Sequence, residues 1–289
     1  MLAVLTLFLA SCLSAPRQPE VTPPLRTVAE QSNFQSTASY DQVNEFLKQI
    51  AAASTLVRLS DIGTSHEGRT IPLAIIADPP VSNPDEARRS EKLVVLAIGG
   101  IHSGECDGKE ALLALSRDIA MSKDPMLKDV ILLIAPIYNP DGNEMVGPIE
   151  KVRPGQIGPV EAGQRANAQG YDLNRDFIKL DAPETRGLLK CFNDWDPAIF
   201  IDTHTTNGSY HRYPMTYDGP KNPAADRKVI EFVRDQMLPA IAQAVKTKHN
   251  LDTFWYGNFA DNPSRWETYP DQGRYGIQYA GLRNRLSIL

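Results

Sequence analysis

Apolar residues along the chain fall into two patterns: short unbroken runs, and longer segments in which they recur every three or four positions. "KLVVLAIGG" (92–100), "DVILLIAPI" (129–137) and "PAIFIDTH" (197–204) are unbroken runs that end in turn residues. That is the pattern of strands buried on both faces. Upstream, "TLVRLSDIGTSHEGRTIPLAIIAD" (55–78) predicts two strands around a glycine-containing turn. "SYDQVNEFLKQIAAAS" (39–54) sets Val43, Phe46, Leu47 and Ile50 at helical spacing, and "KEALLALSRDIAM" (109–121) repeats its apolar residues with the same period. "PAADRKVIEFVRDQMLPAIAQAVKTKH" (223–249) predicts a long amphipathic helix that Pro239 should kink or split. Buried strands alternating with helices predict an α/β fold, with a mixed, largely parallel central sheet flanked by helices on both faces. Neither an internal repeat nor a second folded domain is visible.

The first residues change this picture at one end. "MLAVLTLFLASC" is apolar but too short to span a bilayer, which fits the core of an export signal. Leu9-Ala10-Ser11-Cys12 resembles a bacterial lipobox, in which the cysteine is acylated. Residues 1–15 are therefore expected to be a signal segment. Residues 16–38, rich in proline and polar residues, are expected to be a tether, and 39–289 the folded domain. The expected location is the periplasm or cell envelope of a bacterium, with the membrane touched only through a lipid anchor at Cys12. Formal net charge is -5 with no block of lysine or arginine, so no nucleic-acid partner is expected. Cys106 and Cys191 are too few for a disulfide framework and are expected to be buried thiols.

Candidate chemistry begins with "GGIHSGECDGKE" (99–110), where His102 precedes Glu105 by three positions. A lone His-x-x-Glu is a weak signal, and a glutamate in the first turn of a helix is also favoured by the helix dipole. Its position strengthens it, because His102 follows a buried strand and ligand sites in open α/β sheets form at the carboxyl ends of strands. His204 ends the run "PAIFIDTH" in the same way. Two imidazoles and a carboxylate, with a fourth position left open, form a catalytic zinc set. Asp202 stands two residues before His204, either steadying it or shaping the turn.

With these residues in view, the sequence from about residue 40 onward resembles the zinc metallocarboxypeptidases. "IGTSHEGRTI" is similar to the family's Gly-x-Ser-x-Glu-Gly-Arg hairpin, "GGIHSGE" to its first zinc motif, and "IYNPDGNE" to its Asn-Pro-Asp-Gly turn at Asn139 to Gly142. "GQRANAQGYDLNRDF" resembles the substrate-binding stretch and "DTHT" the segment bearing the last zinc ligand. The resemblance implies one zinc per chain on His102, Glu105 and His204. It implies Asn174 and Arg175 as the clamp for a C-terminal carboxylate, a task suited to the planar, always charged guanidinium. It implies Arg165 as the catalytic arginine that polarises the scissile carbonyl, with Arg153 the competitor for that role. Asp176 stands where many members have asparagine. The family's closing tyrosine would fall at Tyr269, Tyr275 or Tyr279.

The implied reaction is zinc-dependent hydrolysis of C-terminal peptide bonds. The family's general base is a glutamate on a late strand. "YAGLRNRLSIL" resembles the run leading into that strand, so the expectation is a catalytic glutamate just beyond Leu289, in a C-terminal part missing from this chain. Glu267 is the nearest carboxylate but precedes that run. Two alternatives stay open: a zinc acyl-amino-acid amidohydrolase of the aspartoacylase or succinylglutamate desuccinylase type, towards which "DTHTTN" leans, and an inactive binding homologue. The substrate is accordingly a peptide or a small N-acyl amino acid.

Overall fold

In the computed structural model, which describes residues 25–206, 208–260 and 264–289, the three apolar runs lie side by side in one six-stranded sheet. Its strands are β1 (Val57–Thr64), β2 (Thr70–Ile76), β3 (Leu93–Ile98), β4 (Val130–Ala135), β5 (Ile199–Asp202) and β6 (Leu286–Ile288). Their order is β1-β2-β4-β3-β5-β6. The β1–β2 and β2–β4 pairs are antiparallel. The β4–β3, β3–β5 and β5–β6 pairs are parallel, as the sequence pattern predicts.

The strands are apolar throughout because both faces are covered. Leu73, Ile75, Leu96, Ile98, Leu133 and Phe200 belong to one apolar cluster, while Ala74, Ile76, Val95, Ala97 and Leu132 belong to the other. Successive strand residues point to opposite faces, so a two-sided core needs no polar alternation. Helices α1 (Tyr40–Ala53) and α2 (Cys106–Ser122) cover the second face through Phe46, Leu47, Leu112 and Leu113. Helices α3 (Pro183–Trp195) and α4 (Gly276–Leu282) cover the first through Leu188, Phe192 and Ala280. Each buried Leu or Phe contributes about 1.5–3 kcal/mol relative to exposure. Summed over a face, this exceeds any intrinsic helix preference.

The chain leaves β3 through α2 to reach β4 on one side, and returns through α3 to place β5 on the other side of β3. That reversal makes the carboxyl ends of β3 and β5 the switch point of the sheet, where an open α/β fold forms its crevice.

Two segments differ from expectation. Pro239 does not interrupt the helical path of the chain. The chain runs as an α-helix over Arg227–Phe232, a π-helical turn over Val233–Met237 and an α-helix over Leu238–His249, with helical dihedrals at the joints. A proline ring clashes with the carbonyl four residues back, and the wider turn just before Pro239 gives it room. The described end of the expected tether, residues 25–38, packs onto α2. A Thr27–Glu30 capping box starts a short helix there, Ala29 is buried, and Glu30 pairs with Arg117 at 2.6 Å. The expected export signal, Cys12 and the rest of the expected tether lie outside the described residues. Cys106 and Cys191 are free, buried thiols.

Candidate active site

Strand register brings the two histidines together. Ile98 at the end of β3 pairs with Asp202 at the end of β5. His102 and His204 follow these ends, each after a short turn, and their ring centroids are 5.0 Å apart. Glu105 reaches them because α2 starts unusually close to β5. A Cβ on Gly108 would lie 2.0 Å from Thr203 Oγ1, so only glycine permits the approach. The Asn-Pro-Asp-Gly turn fixes the surrounding loops. The Asn139 side chain accepts from Gly142 N at 3.0 Å and donates at 3.4 Å to the carbonyls of Ile101 and Arg165. The fully buried Asp141 carboxylate accepts from Ser65 Oγ at 2.6 Å, Glu67 N at 2.9 Å and Arg69 at 2.7 Å, which ties the β1–β2 hairpin to the same turn.

Glu105 is the N-cap residue of α2, one position before the expected first turn, and its side chain makes no capping bond. Its carboxylate instead lies 2.8 Å from His102 Nδ1 and 3.1 Å from His204 Nδ1, and accepts from Thr205 N at 2.8 Å. The side chains of His102, Glu105 and His204 are 3–4% exposed, and their candidate ligand atoms all lie within 4.8 Å of one another. Tetrahedral zinc at about 2.0–2.1 Å from nitrogen would hold its ligand atoms roughly 3.3 Å apart, so the donor set suits zinc. The other ring nitrogens fit it too. His102 Nε2 meets Asp172 Oδ1 at 2.9 Å and His204 Nε2 meets Asp202 Oδ2 at 3.0 Å. A carboxylate facing each Nε2 favours a proton there and would make Nδ1 the nitrogen offered to a metal, which is how metal-binding histidines are usually oriented.

Charges converge on this cluster. Burial alone would raise the Glu105 carboxyl, but bonds and charges from His102 and His204 outweigh it and hold the group well below the usual carboxylate range. Asp172 is likewise lowered against the pull of burial by His102, Arg165 and Arg175. Burial would lower His204, yet Asp202 and Glu105 raise it to about 10 in the metal-free chain.

The arginines divide by exposure. Arg153 is 8% exposed and lies 3.0 Å from Glu105, in a space left by Gly104, whose Cβ would come within 2.5 Å of the Arg153 side chain. Arg165 is 36% exposed and lies 3.1 Å from His102 Nδ1 and 2.7 Å from Asp172, so it can reach a ligand. Arg175, 31% exposed, stacks on the ring of Tyr275 at 4.3 Å and lies 3.3 Å from the hydroxyl of Tyr269. Asn174 contacts His204 Nε2 at 3.2 Å and the Tyr269 hydroxyl at 3.4 Å, and accepts from Gly276 N at 2.9 Å. The six residues singled out in the sequence thus lie in one region.

The structure separates the three tyrosines that sequence left equivalent. Tyr279 packs against Phe177 and Phe192 in the core, and Tyr275 lies buried under Arg175. The Tyr269 hydroxyl alone of the three bonds Asn174 and Arg175. Glu267 sits on an exposed hairpin paired with Arg265, outside the metal cluster. Sequence reading passed over Asp172, although it stands inside "GYDLNRDF" directly before the clamp residues. It bridges His102 and Arg165 only once that loop folds back across 70 positions.

A family model for zinc carboxypeptidase matches residues 43–276. Among curated relatives, Carboxypeptidase 2 of Trichophyton rubrum is 29% identical over 195 residues, covering 65% of this chain and 32% of that protein. Carboxypeptidase D of Homo sapiens is 31% identical over 207 residues, covering 68% of this chain and 14% of that protein. The chain therefore spans a third or less of these relatives. Among solved structures, a metallo-carboxypeptidase from Burkholderia cenocepacia superposes with a TM-score of 0.63 at 21% identity, over 87% of this chain and 59% of that one.

Proposed function

The chain belongs to the zinc carboxypeptidase family, and from that premise we propose that it removes C-terminal residues from peptides by zinc-assisted hydrolysis. The observation that carries the reading is the buried His102, Glu105 and His204 set with the partly exposed Arg165 and Arg175 beside it. Zinc held by these three residues supplies a Lewis acid and lowers the pKa of water towards neutrality. Arg175 and Asn174 receive the substrate's terminal carboxylate, and Tyr269 closes the clamp between them. Arg165 takes the scissile carbonyl oxygen as it gains charge, with the buried Arg153 keeping Glu105 in place. Asp172 and Asp202 hold the histidine rings in the ligating tautomer.

β6 runs parallel to β5 with Ile288 opposite Ile201, so the carboxyl ends of both strands lie on the side of the sheet that carries the metal ligands. Peptides are preferred to short N-acyl amino acids as substrates, because the family match weighs against the amidohydrolase alternative. Export with acylation at Cys12 is also proposed, from Leu-Ala-Ser-Cys and the prolines behind it. Labelled palmitate in cells expressing the full gene tests this, and an unlabelled mature protein beginning after Cys12 refutes it.

The activity is tested by measuring hydrolysis and binding of matched peptides with free and amidated C-termini, with and without zinc. Arg175→Ala is expected to lower kcat/KM for free C-termini by about 2–4 kcal/mol, the cost of truncating one partner of a desolvated charge pair. Equal handling of free and amidated peptides refutes the reading.

A further inference from the structure

The bonds that Tyr269 makes to the clamp are long. Its hydroxyl oxygen accepts from Asn174 Nδ2 at 3.4 Å and from Arg175 at 3.3 Å. At such lengths hydrogen bonds hold a half-buried side chain only weakly. Two aromatic contacts hold it more firmly. The Tyr269 ring lies 4.6 Å from that of Tyr275, tilted by 51°, and 5.6 Å from that of Tyr256 at 78°, edge to face.

Hairpin register explains the contact with Tyr256. Strands Gly257–Ala260 and Arg265–Thr268 pair antiparallel with Gly257 opposite Thr268, so Tyr256 and Tyr269 face each other one step beyond the ladder. Facing residues of an antiparallel pair bring their side chains within reach, and an aromatic pair there contributes more than its buried area. Tyr256 is itself fixed. It is 7% exposed, and its backbone N–H donates to the Tyr217 carbonyl at 2.8 Å. Tyr275 is fixed by the clamp: it is buried, Arg175 stacks on its ring at 4.3 Å, and the N–H of the next residue, Gly276, donates to Asn174 Oδ1 at 2.9 Å. The Tyr269 ring therefore rests on two buried rings, one anchored at the base of the hairpin and one at the clamp.

That placement leaves one donor unused. The Tyr269 oxygen accepts both of its bonds, and among the described residues its own O–H proton has no acceptor. Burial raises the phenol above its ordinary range, so the proton stays on the oxygen. A terminal carboxylate accepts hydrogen bonds only, and this O–H stands beside the two clamp residues that donate to it.

We propose that Tyr256 is a positioning residue: its ring, with that of Tyr275, holds Tyr269 at the clamp before a peptide arrives, so that the carboxylate meets a third donor already in place. The proposal rests on the carboxypeptidase reading of the site. Holding the side chain in its bound position beforehand favours binding, because no further ordering is needed when the ligand arrives. Loss of the Tyr256 ring leaves Asn174 and Arg175 intact, so the deficit falls on recognition of the carboxylate by Tyr269.

The test is binding, measured by calorimetry on the zinc-loaded full chain. The probe is acetyl-phenylalanyl-phenylalanine with a free or an amidated C-terminus. Tyr256→Leu fills the space without an aromatic edge and should weaken the free form about three- to tenfold, the range of one aromatic pair or one ordered side chain, while the amidated form stays within about twofold of wild type. Tyr256→Phe keeps the ring and should restore wild-type binding. In a Tyr269→Phe background, where the hydroxyl is already gone, Tyr256→Leu should change the free-to-amidated ratio by less than about twofold. Zinc content and melting curves report the fold of each variant, and Tyr256→Met replaces Tyr256→Leu if the latter does not fold. An unchanged ratio in Tyr256→Leu, an equal loss for both peptides, or a full loss that persists in Tyr269→Phe overturns the proposal, as does failure of Tyr256→Phe to restore binding. A wild-type protein that binds both peptides equally overturns the carboxypeptidase reading instead, so the two failures are distinguishable.

Discussion

Asp202→Asn separates what a carboxylate behind a zinc histidine does for the metal from what it does for the proton. Asp202 is fully buried, its Oδ2 is 3.0 Å from His204 Nε2 and its Oδ1 has no partner, so the charge acts on His204 with little competition. In the metal-free chain burial pulls His204 down, and Asp202 with Glu105 raises it from 6.5 to about 10. A folded pKa above the unfolded one stabilises the fold fully below pH 6.5, and that contribution is lost as pH rises towards 10. The whole interval is worth about 5 kcal/mol at 1.36 kcal/mol per pH unit, and two carboxylates share it, so the substitution should remove about 2 kcal/mol.

Zinc must expel the same proton from His204. Wild-type apparent affinity should therefore rise about tenfold per pH unit between pH 7 and 9, and the variant's rise should flatten earlier. At high pH, where proton competition fades, the variant should bind zinc about 10- to 100-fold more weakly, because an uncharged partner makes the imidazole a poorer donor. The deficit should narrow as pH falls. Competition with a fluorescent chelator from pH 6.5 to 9, with melting curves of the metal-free protein, measures both. Wild-type affinity together with a wild-type pH slope in Asp202→Asn would refute the role given to this carboxylate.

Further predictions follow from particular contacts. Gly108→Ala drives a methyl into Thr203 and should push α2 away from β5, which separates Glu105 from His204. A stability loss of about 1–3 kcal/mol and a large fall in zinc content are expected, read by melting and metal analysis. Asp141→Asn leaves Arg69 without its buried counter-charge and should destabilise by about 1–3 kcal/mol, with zinc stoichiometry retained in the folded fraction.

The parts of this molecule legible in the sequence are those whose cause is local. Val94 to Ile98 and Ile131 to Ala135 are apolar because both faces of the sheet are covered, and that shows as an unbroken run. His102 and His204 were identifiable because each follows such a run. Glu105 was placed one position too far into its helix, since a cap position depends on backbone angles that composition does not fix. Pro239 was expected to break a helix that instead absorbs it in one wider turn, an accommodation set by the turn geometry. Asp172 and Tyr269 were passed over or left unresolved because their roles arise from contacts across 70 and 95 positions, to His102 and Asn174.

The pairing of β3 with β5 also governs when the site can come into being. Ile199 lies against Val95, 104 positions away in the chain, while α2 and β4 form from nearer neighbours. Closing that distance is slow relative to local helix and strand formation. His102 and Glu105 can meet early, but His204 arrives only when β5 docks, so the complete ligand set exists only in a chain that has finished its long-range assembly. Zinc then acts as a latch on the finished sheet, with no part in guiding its assembly. Added zinc should leave the refolding rate unchanged and slow unfolding, because it stabilises contacts made after the rate-limiting step.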